Sequence, residues 1–592
     1  MENQFAEKSS RQRFLITTPI NLLKHSGKPI LILGEWCRLF QQRNNLKNEG
    51  IELHPYHWDD RNKFANDFRY LENLYEEKLA LLSISLGNIH GVTTDVRYWR
   101  IIIGPWLRFF IDSVFDRYEL IRTAQNSGEI YHTSVPNYSL QDWIPSDFNE
   151  FYEQFRHDSW NSIIFSECIK ELDLSFEHDN ELVLPFKKEK KHLDLINRIV
   201  NSILEIYTAV LPAKLNKVVM IAAYLPKKKL VNLQMHLKQF PYLISPKITM
   251  QSGKRDETMR NKLDLSNSKN QFEKLLDRLI CELMPYSYLE NFKKFRDIIK
   301  QYYPPFPSVI FTANAYQADD GFKIWAAGHV INKVPLVIGQ HGGHYGIGLL
   351  NQTEDHQIRI ADVFTTWGWT DKSKDNVIPM PAMKLPFRPL KYDTNGDILL
   401  VTASYPRYFY CHFSVAVAGQ FLDYLDEQIR FYKSLDDILK KMIKIRTDVD
   451  VFGWKIHDRL KEAGLGESLD ISDEKLFSRL KKCRMCVSTY NATVFLETLA
   501  ANIPTIVFFN PNKYEIREEA AEAMNLLRAV NILHDTPESA AIFLNSLNNN
   551  IDCWWKSKIV QEARHQFCEI YANTSPNWIN EWKTFFNKII KS

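Results

Sequence analysis

The segment STYNATVFLETLAANIP, Ser488 to Pro504, decides how this chain is read. The apolar run Met485, Cys486, Val487 ends at Ser488 as a strand would, and a polar turn follows. A helix is then expected from Asn491, a residue type favoured at helix N-caps. Orphan backbone N–H groups and the positive end of the helix dipole make such a turn a seat for phosphate. Thr493 and Glu497 lie four apart and share a helical face. Glu497 stands roughly 9 Å along the axis from the expected cap at ~1.5 Å per residue, about the span from a nucleotide's phosphate to its ribose hydroxyls, which a carboxylate can bind. The competing reading is an ordinary capped helix with a solvent-facing glutamate.

The second informative stretch is GQHGGHYG, Gly339 to Gly346, directly after the apolar run Val334 to Ile338. Gly342 and Gly343 let backbone approach a ligand closely, and His341 and His344 supply imidazoles able to handle protons or phosphate. A plain glycine turn with two surface histidines is the alternative, and a zinc pair lacks a third ligand placed by the sequence. One stretch in each half of the chain suggests two α/β lobes facing a cleft for an anionic ligand.

Short apolar runs alternate with helical periodicity around both stretches, which predicts βαβ units and parallel sheets. Strands are expected at Phe14–Thr17, Pro29–Leu33, Lys217–Ala223, Ser308–Phe311, Val334–Ile338, Ile398–Thr402, Met442–Ile445, Met485–Val487 and Thr505–Phe508. Phe64, Phe68, Leu71, Tyr75, Leu79 and Leu82 recur at helical spacing, and Arg97 to Arg122 continues as a helix. Residues 125–215 lack clean periodicity and read as a helical or irregular insertion. Pro379, Pro381, Pro386 and Pro389 mark a boundary. The expected division is an N-terminal acceptor-side lobe over 1–390, a nucleotide-donor lobe over 391–575 and a C-terminal helix over 576–592. Trp578, Trp582, Phe585 and Ile589 line one side of that helix, which docks on the protein body or lies on a membrane.

Composition narrows the function. A chain of 592 residues exceeds one hydrophobic core, and 45% apolar residues supply several. Seventy-four basic against 71 acidic residues give a net charge of +3, no basis for a nucleic-acid partner. Eight scattered cysteines form no disulfide framework, and the pair Cys483 and Cys486 reads as strand rather than zinc site. The polar start MENQFAEKSSRQRF lacks a signal-peptide core, so a cytoplasmic location is expected. Lysine runs at 187–191 and 227–229 are solvated or touch an anionic membrane.

Other polar residues stand at expected sheet edges. Arg446 ends a strand where a guanidinium can grip a pyrophosphate, and Ser404 follows ILLVTA at the equivalent edge; each is equally readable as a structural hydrogen bonder. Glu35, Trp36, Trp58, Asp60 and Arg61 offer rings and charges to a sugar, or are core aromatics beside a structural Asp–Arg pair. Asp448 and Asp450 form a DxD, a weak match. No metal or cofactor is expected.

FLITTPI, LGEWC, HWDDR, RYWRIIIGPWLRFF, GQHGGHYG, TTWGW and STYNATVFLETLAANIP together resemble a family of bacterial surface-polysaccharide (O-antigen and capsule) transferases. The last motif also resembles the donor half of GT-B glycosyltransferases, with Asn502 where those chains often carry Gly before the Pro. The resemblance implies two Rossmann-like, GT-B-like lobes and transfer of a glycosyl or ulosonyl unit from a nucleotide sugar to a lipid-linked or polysaccharide acceptor. Peripheral contact with the cytoplasmic face of the inner membrane goes with it. It implies that Ser404, Arg446, Ser488, Asn491, Thr493 and Glu497 hold the donor. His341 would be the general base, with Gly342, Gly343, His344, Glu35, Trp36, Asp60 and Arg61 on the acceptor side. A CDP-glycerol-type polyol-phosphate transferase, an epimerase of the same fold and a non-catalytic assembly partner are the alternatives.

Overall fold

The computed structural model describes residues 12–25, 27–45, 50–185, 217–243, 246, 248, 252–448, 452–547 and 550–591. Three five-stranded sheets organise them, and every strand pair within each sheet is parallel. The first joins β1 (Arg13–Ile16), β2 (Ile30–Ile32), β3 (Ile51–Leu53), β4 (Ile130–Asn137) and β5 (Phe176–Leu182) in the order β3-β2-β1-β4-β5. The middle sheet joins β6 (Val218–Ile221), β7 (Val309–Thr312), β8 (Leu336–Gly339), β9 (Val363–Thr366) and β10 (Val377–Pro379) in sequential order. The C-terminal sheet joins β11 (Asp397–Val401), β12 (Ile443–Arg446), β13 (Cys483–Ser488), β14 (Thr505–Phe508) and β15 (Leu533–His534) in the order β12-β11-β13-β14-β15. The middle and C-terminal sheets are the two Rossmann-like lobes expected, and the first sheet adds a third layer ahead of them.

The expectation of an irregular insertion over 125–215 is corrected for its first half. Residues 130–182 supply β4, β5 and the helix Asp158–Glu171, and Trp143, Phe148, Phe151 and Trp160 are core residues. That helix is buried at every position from Trp160 to Ile169. A helix covered all round has no polar stripe, so the 3.6-residue signal disappears. Residues 186–216 lie outside the described residues.

Two long helices fill the space between the first sheet and the lobes. Asp60 caps Arg61–His90 by accepting from the Asn62 and Lys63 N–H groups, and Gly91, at φ 62°, ends it. Val96–Asn126 follows, buried from Tyr98 to Ile121 except Arg100. Its charges are all matched: Arg108 meets Asp112 and Glu72, and Arg117 meets Asp116, Asn161 and the Phe409 carbonyl. No helix among the described residues is long and apolar enough to cross a membrane.

After the proline-marked crossing near residues 379–389 the chain builds the C-terminal sheet, then returns. The final helix, Trp578–Lys591, lays Trp582 and Phe586 against Phe311 of β7, and the Trp582 indole donates to the Pro381 carbonyl at 2.9 Å. It therefore docks on the protein body and belongs to the middle lobe.

Winding direction places the crevices. In the C-terminal sheet the chain passes from β11 outward to β12 and then to β13 on the other side, so the reversal lies between β11 and β13, where α/β sheets receive ligands. Register sets Val401 opposite both Arg446 and Ser488, aligning the carboxyl ends of three strands. From the other lobe, the loop after β8 reaches over to this edge. The Gly343 N–H donates to Thr493 Oγ1 at 2.9 Å, and a Cβ on Gly343 would lie 2.2 Å from the Ala492 carbonyl carbon. The turn beyond the Thr493–Ala500 helix holds Asn502 at φ 54°, a conformation Asn tolerates better than most residues.

Gly343→Ala is expected to force the two lobes apart while leaving each sheet folded. X-ray scattering should show a larger radius of gyration, whereas Gly328→Ala, with no neighbour within 4 Å of its would-be Cβ, should show none; equal profiles for both would remove the contact's importance. Trp582→Ala is expected to cost about 3–5 kcal/mol locally, read as faster amide exchange in Trp578–Lys591 with the C-terminal sheet unchanged.

Candidate functional site

At the β11/β13 reversal several buried polar atoms have no partner among the described residues. Asn491 is 1% exposed, yet neither its carbonyl oxygen nor its amide nitrogen finds a hydrogen-bond partner among the described residues. Thr402 Oγ1 and Ser404 Oγ, just past β11, are buried and unpartnered in the same way. An unmade hydrogen bond on a buried polar group costs about 1–3 kcal/mol; such atoms occur elsewhere in the fold too, but these stand at the strand ends where α/β sheets receive ligands. Asn491 is not the helix cap, as its position in the sequence had implied: Ala492, at φ −153°, holds that position, and no side chain closes the first turn. Ser488 is fully buried, its hydroxyl only 3.5 Å from the Tyr490 carbonyl. Thr489 is committed to Tyr424 and the Val401 carbonyl.

Thr493 and Glu497 do share a face, and both turn it toward the middle lobe. Thr493 receives the Gly343 N–H, and Glu497, 5% exposed, pairs with Lys384 at 2.9 Å. Arg446 is taken up at its own edge: it lies 3.5 Å from Asp470 and donates to the Glu474 carbonyl at 2.5 Å, while its Nη1 makes no hydrogen bond.

The opposing wall is the loop Gly339–Gly346, held rigid by Gln340. The Gln340 side chain donates to the Gly342 carbonyl at 2.8 Å and accepts from the Trp367 N–H and the Trp369 indole, each at 2.9 Å. The TTWGW and GQHGGHYG motifs thus build one structure. His344 is buried at φ 76° with Nε2 on the Leu350 carbonyl, and burial lowers its pKa to about 4. His341 is half-buried amid the rings of Tyr224, Tyr316 and Tyr345, with the Tyr345 hydroxyl 3.2 Å from its Nδ1. Burial, reinforced by the charge of Lys384 and partly offset by the Ala313 backbone, lowers its pKa from 6.5 to about 4. The imidazole is therefore neutral at pH 7.

A small cavity opens here at the carboxyl edge of the middle sheet, lined by Tyr224, Ala313, Gln340, Thr366 and Lys384 among others. The Lys384 ammonium lies 4.6 Å from the Tyr224 ring centroid. Ala222 and Tyr224 hold φ of 47° and 56°, a left-handed conformation that costs about 1–3 kcal/mol per non-glycine residue and clusters at functional sites. Neither Lys384 nor Tyr224 was marked by the sequence reading. Tyr224 stands just beyond the expected strand KVVMIAA, and Lys384 hides in the proline-rich boundary.

The remaining acceptor-side candidates lie elsewhere. Trp36 is 1% exposed, its indole on the Thr17 carbonyl and its own carbonyl receiving Arg407. Glu35 pairs with Arg38 and lies beside Gly419. Asp60 is spent on capping, and Arg61 grips Glu515 at 2.5 and 3.0 Å. Trp58 is fully buried. Arg61 and Trp36 thus join the first sheet's body to the C-terminal lobe, and the structure does not bring these residues to His341.

Cys483 and Cys486 are buried free thiols, and no three His, Cys, Asp or Glu side chains among the described residues gather as a metal site. Asp450 of the DxD lies outside the described residues.

Several solved structures share similarity with this chain. MurG of Acinetobacter baumannii is 12% identical, with a TM-score of 0.32, over 63% of this chain and 99% of that one. MnaA of S. aureus, solved with UDP, is 10% identical, with a TM-score of 0.35, over 64% and 98%. WaaG, a glycosyltransferase involved in lipopolysaccharide biosynthesis, is 9% identical, with a TM-score of 0.25, over 50% and 95%. No curated protein matches. The family match is far more extensive: residues 13–586 match the LIC12162 family transferases, and the chain belongs to that family.

Proposed function

We propose that this transferase moves a glycosyl or ulosonyl unit from a nucleotide-activated donor to a growing cell-surface polysaccharide. The observation that carries the reading is the set of buried, unpartnered Asn491, Thr402 and Ser404 atoms at the β11/β13 reversal, beside an uncapped helix N-terminus. A diphosphate accepts from the Asn491 amide N–H and the two hydroxyls and meets the helix dipole, while the Asn491 carbonyl is left for a hydroxyl or N–H of the donor. Glu497 accepts the ribose hydroxyls, and Lys384, released from it, turns to the phosphate charge. Ser488 shapes the strand end beneath, and Arg446 adds positive potential from the neighbouring strand.

His341 takes the proton of the acceptor hydroxyl while the phosphate leaves with the glycosyl bond's electrons. Its neutral imidazole has the required lone pair, and an anionic donor nearby raises its basicity by Coulombic attraction for the proton. The Tyr345 hydroxyl must first yield Nδ1. Gly342 and Gly343 bring the loop backbone against the donor helix, and His344 braces it from behind. Tyr224 offers an aromatic face to the acceptor sugar. Closure of the cleft keeps water from the donor.

Thermal-shift measurements against CMP-, CDP-, UDP-, GDP- and dTDP-linked sugars test the donor site. One class should stabilise the protein by about 2.7 kcal/mol at 100 times its dissociation constant. Glu497→Gln should weaken that nucleotide roughly tenfold by isothermal titration and affect turnover at saturation less; unchanged affinity removes the ribose assignment.

With the donor identified, transfer of labelled sugar onto lipid-linked glycan extract tests the base. His341→Ala should lower it at least ~100-fold at nearly constant nucleotide affinity. Because a base works only unprotonated and this one titrates near 4, kcat/KM should stay level as pH falls from 8 to roughly 5.5 and decline only on approach to the lowered pKa. An acid limb near 6.5 would contradict a base so depressed in the free enzyme.

A further inference from the structure

We infer that the amino edge of the middle sheet is a docking surface for an anionic lipid bilayer. At this edge, away from the cleft, the starts of β6, β7 and β8 stand side by side. The Ser308 and Val309 N–H groups donate to the Lys217 carbonyl at 2.8 and 2.9 Å, and the Ile310 N–H donates to the Pro335 carbonyl at 3.0 Å. The Gln239 side chain bonds both backbone groups of Val218, fixing Lys238 and Phe240 at the same edge. The Trp325 indole donates to the Pro304 carbonyl, which brings in the end of the helix Asp320–Val330 and Ile331 after it.

Four large apolar side chains point outward from these loops: Phe306 is 64% exposed, Tyr302 54%, Phe240 49% and Ile331 46%. Among the described residues Phe240 and Phe306 are the only large exposed phenylalanines. The chain turns their neighbours inward, with Tyr303 at 3% stacked on Trp325 and Gln239 at 8%. The outward rings are thus set by the same local geometry that buries the adjacent side chains. Around them Lys217, Lys238, Lys300 and Lys333 are exposed, and the acid beside them on the helix Phe292–Tyr302, Asp297, is engaged by Lys300 at 3.1 Å.

Aromatic rings within a lysine surround match the two demands of an anionic membrane face. Rings enter the headgroup boundary, and ammonium groups meet lipid phosphates. Water alone gives no reason to hold two phenylalanines out at one sheet edge, and exposed apolar side chains gathered on one edge among basic residues suit an interfacial contact. Four exposed lysines stand there against Asp297 and Asp362, which are paired with Lys300 and Arg97, and this positive surplus serves lipid phosphates whereas a protein partner or a second copy needs only the rings. The inference stands independently of the transfer chemistry, because the surface lies opposite the cleft.

The test is flotation of the full chain with vesicles of phosphatidylglycerol and phosphatidylethanolamine. Binding should be lost on neutral phosphatidylcholine vesicles and weaken with salt. Phe240→Ser with Phe306→Ser, and separately Lys238→Glu with Lys333→Glu, should each lower vesicle affinity at least tenfold, since each basic residue contributes roughly fivefold. All four side chains are exposed, and an unchanged melting temperature confirms the fold of each variant. Failure to float with anionic vesicles, binding insensitive to both variants, binding abolished instead by Phe585→Ser with Ile589→Ser, or dimerisation through the patch in place of flotation would each overturn the inference.

Discussion

The approach of Gly343 to the Ala492–Thr493 peptide is the constraint on which the cleft depends. Backbone meets backbone there, at a distance no side chain permits, and one hydrogen bond to Thr493 Oγ1 fixes the register of one lobe against the other. Everything functional on either side is referred to this point. Asn491 lies two residues before Thr493, His341 two before Gly343, and Glu497 one helical turn beyond. A shift of the loop would therefore move His341, the helix terminus and Glu497 relative to one another, and Gln340 opposes it by tying the loop to Trp367 and Trp369 in its own lobe.

Much of this was legible in the sequence because the signals were local. Glycine pairs, a strand ending in polar residues and a four-residue spacing between Thr493 and Glu497 all survive as geometry. Asn502 at φ 54° bears out the argument that Asn can stand in for Gly before Ile503 and Pro504. What escaped was non-local. The first two strands of the first sheet were legible at Phe14–Thr17 and Pro29–Leu33, but its completion by β4 and β5 was hidden because long helices separate these from β1 and because the helix 158–171 is buried on all sides and shows no period. The displacement of Glu35, Trp36, Asp60 and Arg61 from the cleft has the same origin. Their composition suits a sugar site, but nothing in the local pattern says that Arg61 will find Glu515 across the fold. Asn491 also misled as a cap: the turn assigns that place to Ala492 and leaves the amide buried without a partner, which makes it more informative than a cap would be.

Buried charges and buried uncharged polar groups are handled differently by this fold. Arg108, Asp112, Arg117 and Asp116 lie deep in the helix 96–126 and are matched to one another or to neighbouring carboxylates and carbonyls. Removing either member of such a pair strands a charge at a cost of about 3–5 kcal/mol, so this layer acts as a fixed frame. At the β11/β13 reversal the polar atoms are instead left open. Buried atoms without a hydrogen bond also occur inside that frame, at Trp106, Arg108, Asp112 and Ser113, so it is position at the carboxyl ends of β11 and β13, rather than number, that sets Asn491, Thr402 and Ser404 apart.

The Lys384–Glu497 pair lies between these two cases. It spans the lobes, Glu497 is shielded and Lys384 retains 26% of its side-chain exposure, so one partner is held and the other can swing into solvent. Breaking the pair without replacement would leave a buried carboxylate uncompensated. Breaking it against a ligand that brings both phosphate charge and vicinal hydroxyls compensates each partner separately, with the ammonium passing to the phosphate and the carboxylate to the hydroxyls. A neutral sugar alone offers nothing to Lys384, and a bare phosphate offers nothing to Glu497. On the proposed reading the pair would favour a molecule carrying both groups; in the structure itself it is an ion pair that links the two lobes.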